Sequence, residues 1–160
     1  MKLLRCAAIA LSLIAFAPAY AAGDEPTPVP VINAPTNPAD TVAWKTYVSA
    51  VVEKIVTPDQ SKRIFATFVE YGSDEEKAAL HVDFIKNFVG RGIAEGTLIL
   101  FASPDSPLMA TIVEQACANP PKPNMLKGIS VIFIGQKAEE RRVKAAVRAW
   151  GASFTFHEAK

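Results

Sequence analysis

Two short, mostly apolar stretches of this chain lack polar alternation: Thr97–Ala102 (TLILFA) and Ile129–Ile134 (ISVIFI). A strand with one face in water alternates apolar and polar residues. A strand that does not alternate is covered on both faces, the condition of parallel sheets layered with helices. Helical periodicity fills the intervals. Trp44, Val48, Val51, Val52 and Ile55 recur at helical spacing before Pro58. A second helix follows Gly72, with Ser73 and Glu76 as its capping box and Ala78, Val82, Ile85 and Val89 facing inward, Phe84 and Phe88 beside them. A third carries Leu108, Ile112, Val113 and Ala116, and a fourth, from Ala138 to Trp150, carries Val143, Val147 and Trp150. Ile64–Tyr71 and Ala152–Phe156 supply the remaining strands. The order α-β-α-β-α-β-α-β predicts a single α/β domain over residues 42–160, its four-stranded sheet largely parallel.

The segment ahead of that domain is of another kind. Lys2 and Arg5 precede an apolar run from Cys6 to Ala17, and Ala19 and Ala21 stand in the A-x-A relation that signal peptidase accepts. Residues 1–21 are expected to be a cleaved export signal, since the run is short of the roughly 20 residues a bilayer helix needs. No later segment is long and apolar enough to span a membrane. Residues 22–41 hold Pro26, Pro28, Pro30, Pro35 and Pro38 and read as a Pro-rich tether. The location implied is periplasmic or secreted. After cleavage 15 Lys and Arg face 16 Asp and Glu, which argues against a nucleic-acid partner. Cys117 is then alone, without an internal disulfide partner, and is expected to be buried rather than bonded to another chain.

Ligands of open α/β sheets gather at the carboxyl ends of strands. The richest such end is Phe101–Met109 (FASPDSPLM), with two hydroxyls, a carboxylate and Asp105 or Ser106 placed to cap a helix whose first residue is Pro107. Ser, Asp and Pro are also what a plain strand-to-helix turn is made of. The Gly90–Gly96 stretch contains G-x-G, but it leaves a helix and feeds a strand, the reverse of a phosphate loop. A Ser-His-acid set could draw on Ser103 or Ser106, Asp105, and His81 or His157, yet no G-x-S-x-G elbow is present. His81 reads as a core histidine beside Phe84, Ile85 and Phe88. His81 and Asp83 lack the i, i+4 spacing of a metal pair, and His157 has only Glu158 close. No catalytic set, metal site or cofactor is therefore expected. Residues 22–121 carry seven basic and thirteen acidic groups, and residues from 122 onward eight and three. That asymmetry suits an acidic partner, anionic lipid headgroups or, as the ordinary reading, a solvated helix face with Glu140 and Lys144 paired.

Phe101–Met109 also resembles the F-x-D-P-x-C-P-x-C segment of periplasmic disulfide isomerases of the thioredoxin fold, with Ser106 and Met109 where the cysteines would stand. The chain departs from that family in lacking both sulfurs, the proline before the final strand, and the last strand and helix. The resemblance implies a truncated thioredoxin-like variant without dithiol exchange. It further implies a partner-binding groove at Ser103, Asp105, Ser106, Pro107, Leu108 and Met109. The expectation is a non-catalytic protein-binding factor of the bacterial envelope, in secretion or assembly, whose partner is a periplasmic or envelope protein. Alternatives are a small periplasmic hydrolase or ligand-binding protein using the Ser103–Ser106 strand end, and a secreted effector or inhibitor.

Overall fold

The four strands lie side by side in the order in which the chain makes them. In the computed structural model, which describes residues 32–56, 63–119, 122 and 124–160, they are β1 (Ile64–Phe68), β2 (Leu98–Ala102), β3 (Ser130–Gly135) and β4 (Ser153–Glu158). Every pairing is parallel, in a register that sets Ile64 beside Leu98, Leu98 beside Ser130, and Ser130 beside Ser153. The sheet is thus wholly parallel. The two runs without alternation are the two central strands: β2 is buried at every residue and β3 from Val131 onward. The edge strands are partly exposed.

Chain-order strands dictate where the helices go. Each parallel crossover is right-handed, and here each advances the sheet in the same direction, so all connecting helices fall on one face. These are α2 (Glu75–Gly90), α3 (Ser106–Cys117) and α4 (Glu140–Ala149). They bury Ile99, Phe101, Val131 and Phe133 beneath Val82, Ile85, Met109, Val113, Val143 and Val147. The alternate residues Leu98, Leu100, Ala102, Ile132 and Ile134 point to the other face. There a single helix, α1 (Thr41–Ile55), covers them with Trp44, Tyr47, Val48 and Val51. Each such side chain contributes roughly 1.5–3 kcal/mol when fully buried.

Local chemistry fixes the helix ends. Asp40, Asp74 and Asp105 each accept a hydrogen bond from the backbone N–H three residues on, at 3.0, 2.9 and 3.0 Å. The cap of α2 is Asp74 and not Ser73, whose hydroxyl donates to the Glu70 carbonyl instead. The Asp74 carboxylate one residue later accepts from the first turn and sets its charge on the positive end of the dipole. Ser106, not Pro107, is the first residue of α3. Glu140 pairs with Lys137, one turn before it, rather than forming the expected pair with Lys144. The segment before α4 is a short 3₁₀ turn, Lys137–Glu139, and Gly151 ends the helix at a φ of 85° that a side chain would resist. β1 stops at Phe68, short of Tyr71, and β4 runs on to Glu158.

The described residues belong to one compact unit, Val31–Lys160. The expected export signal with its expected cleavage site, and residues 22–31 of the expected tether, lie outside them, as do Pro58, Pro120 and Pro121. Residues 32–40 lie against the sheet: Ile32 and Ala34 pack on the α1 side, and the Ala34 N–H donates to the Lys160 carbonyl. No described helix is long and apolar enough to cross a membrane.

Candidate functional site

Because no two successive connections leave toward opposite faces, this sheet has no crevice of the kind made where strand order reverses. The hollow at its carboxyl end is built differently. One wall is the turn from β2 into α3. The Ser103 hydroxyl accepts from the Asp105 N–H at 2.9 Å, which folds the turn tightly enough for Asp105 to reach back and cap α3. Ser106 then reaches across to the neighbouring strand, where its hydroxyl accepts from the Gln136 N–H at 2.8 Å. The close approach needs Gly135. A Cβ there would run into the Ser106 hydroxyl and lie 2.7 Å from Phe133 Cε1.

The other wall comes from the beginning and end of the unit. Ala34, Pro35, Thr36 and Trp44 face Ser103, Pro104, Ser106, Gly135 and Gln136, with Ala159 and Lys160 between. Trp44 is held by its Nε1–H, which donates to the Asn37 carbonyl at 3.1 Å. The space enclosed is about 270 Å³. A drug-sized ligand takes about 300–1,000 Å³, so this hollow suits one or two side chains of an extended segment better than a whole cofactor.

Of the six residues singled out from sequence, the structure brings only Ser103 and Ser106 into the hollow. Asp105 is spent on the helix cap, Pro107 is exposed, Leu108 is half-buried against the core, and Met109 is fully buried beneath α3. Trp44, Gly135, Gln136 and Lys160 were missed. Gly135 and Gln136 carried a signal, since parallel neighbours in register end together. Ala34 to Thr36 carried none, because proline-rich composition looks the same in a spacer and in a docked segment.

Among the described residues the lining holds no His, Asp or Glu side chain, and no cluster of three or more His, Cys, Asp or Glu could hold a metal. His81, expected in the core, is half-exposed on α2, and Phe84 beside it faces water. His157 sits on β4 with its ring 6.4 Å from that of Tyr47, and burial, with the Lys54 charge, holds its pKa below the ordinary histidine value. The Tyr47 hydroxyl is buried without a hydrogen-bond partner among the described residues, and burial raises its pKa. Cys117 is free and buried at the end of α3, and burial pushes its thiol up to about 12. A thiol so protonated is a packing group at neutral pH.

No protein-family model, curated protein or solved structure matches the chain.

Proposed function

We propose that this protein is an exported binding factor that acts by contact, receiving an extended segment of an envelope protein in the hollow at the carboxyl ends of β2 and β3. One observation carries the reading: both serine hydroxyls at that strand end accept backbone N–H bonds that hold the turn together. A serine nucleophile needs a base positioned to take its proton. These two serve the architecture of a small, partly apolar seat. Export is supported by Lys2, Arg5, the Cys6–Ala17 run and Ala19-Tyr20-Ala21. The likeness of Phe101–Met109 to the sulfur-bearing segment of periplasmic disulfide isomerases supports the same place and mode of action, with the redox pair gone.

A photoreactive amino acid at Thr36, on the rim of the hollow, tests this in living cells. Thr36 should capture a defined envelope protein that the same probe at exposed Lys127 does not. Identical capture from both positions, or turnover of a small substrate that the Ser103→Ala, Ser106→Ala double variant abolishes while still folded, would overturn the reading.

A further inference from the structure

Helix α2 is apolar on two sides, and only one of them is fully buried. Val82, Ile85 and Val89 are buried under it. A second stripe, Leu80, Phe84 and Phe88, runs along its outer flank, with Leu80 64% and Phe84 51% exposed. A helix that merely covers a sheet needs one apolar stripe. The second overhangs β1, which pairs with β2 alone and leaves its other ladder edge open among the described residues. Phe65 of β1 stacks on Phe84 (centroids 5.5 Å apart, planes 24°) and on Phe88 (3.5 Å, 11°). Around these rings is a hollow of about 220 Å³ lined by Phe65, Phe84, Asn87, Phe88 and Arg91. Ile64, at the start of the strand, is 38% exposed. Long, apolar, uncovered edges invite another strand, and native proteins blunt them when no partner is intended.

We propose that this edge docks an extended acidic peptide of a partner protein. Its backbone adds to Ile64–Phe68 as a fifth strand. An apolar side chain enters the aromatic hollow, and a neighbouring carboxylate meets Arg91, which makes no ion pair among the described residues. The open ladder specifies an extended backbone, and the hollow specifies every second side chain. Charge selects the partner over a second copy of this chain. Lys77 and Arg91 lie seven residues to either side of Phe84, hence on its side of the helix. Two copies paired across this patch by a two-fold axis would set Arg91 against the second copy's Lys77, like charge against like.

Selection of random nonapeptides displayed on phage against the purified protein, followed by anisotropy measurements on labelled winners, tests the proposal. Enriched peptides should alternate apolar residues and carry Asp or Glu. Methylating alternate backbone nitrogens should abolish binding in one phase of the alternation and spare it in the other. Arg91→Glu should weaken binding by about tenfold or more and Phe84→Ser should remove it, with the circular dichroism spectrum unchanged in both. Three outcomes would overturn the proposal: no enriched peptide, winners that bind both variants as tightly as the native protein, or self-association in the ultracentrifuge that Phe84→Ser abolishes. The last would make a second copy the occupant.

Discussion

The two faces of this sheet are made of the same strands, residue by residue in alternation, yet they are sealed to different degrees. Three helices close the face that carries Ile99, Phe101, Val131 and Phe133, and the edge residues Phe154 and Phe156 are drawn in beneath them. The opposite face has a single helix, α1, with Ile32 and Ala34 beside it. That helix seals the central strands, reaches Phe68 by setting Lys45 Nζ 5.5 Å over its ring, and touches β4 through Tyr47 and His157. Ile64 and Ala66 of β1 and Ser153 and Thr155 of β4 point to this side and remain exposed. Strand composition cannot account for the difference, because β2 supplies both sides equally well. Crossover handedness can: it assigns three helices to one face, leaving the other whatever precedes the first strand.

Thiol chemistry should give the largest contrast. With the Cys117 pKa at about 12 against an ordinary 9.0, alkylation at pH 8 should be about a thousandfold slower in the folded protein than after unfolding, in a chain whose Cys6 is replaced by Ser. A cysteine placed at fully buried Val51 on α1, with Cys117→Ala and Cys6→Ser, should react faster than Cys117 does, because one helix opens more readily than three. Equal rates would break the comparison. Truncations come next. Ile99→Ala, under the three helices, should cost about 4 kcal/mol in urea denaturation, and Ile132→Ala, under α1, about 2, since a thinly covered site collapses more easily onto the space left behind.

Two smaller effects sharpen the α1 side alone. Tyr47→Phe removes a buried hydroxyl with no partner among the described residues and should stabilise the protein by about 1 kcal/mol in the same assay. On the three-helix side the Trp150 Nε1–H donates to the Cys117 carbonyl at 2.5 Å, while the Thr67 hydroxyl of β1 is likewise buried without a partner among the described residues. His157 should give the smallest effect. Its folded pKa is lowered, first by burial and then by Lys54, so the unfolded chain binds the proton more readily. The stability it lends is complete above the unfolded value near 6.5 and is lost as pH falls toward the folded one. Melting temperatures taken from about pH 7.5 down to about pH 5.5 should therefore fall less in His157→Asn than in the native protein.

The interior strands were legible because short apolar runs without alternation, Leu98–Ala102 and Val131–Ile134, mark strands covered on both faces, and α3 was legible because Asp105 and Pro107 sit where a helix must begin. The wall of the hollow made by residues 34–36 was not, since proline reports backbone preference and is silent about contacts. α2 shows a further limit. Ala78, Val82, Ile85 and Val89 and the pair Phe84 and Phe88 all fit helical spacing, and a periodicity gives the width of an apolar stripe without saying where the sheet stops beneath it. The sheet stops at β1, and Phe84 hangs past its edge. Met109 and Pro107 divide in the same way, one turned under the helix and the other out to water, by a rotation that the turn held by Ser103 and Ser106 decides.

The first helix of the domain has no seat until two strands that follow it in the chain have paired. β1, β2 and β3 can zip together in the order of synthesis, each on the edge its predecessor has just finished, but the apolar stripe of α1 rests on β2 and β3 jointly. Until both are in place, Trp44, Tyr47, Val48 and Val51 remain a greasy ridge without cover, and that ridge is what a holding chaperone would meet on the nascent chain.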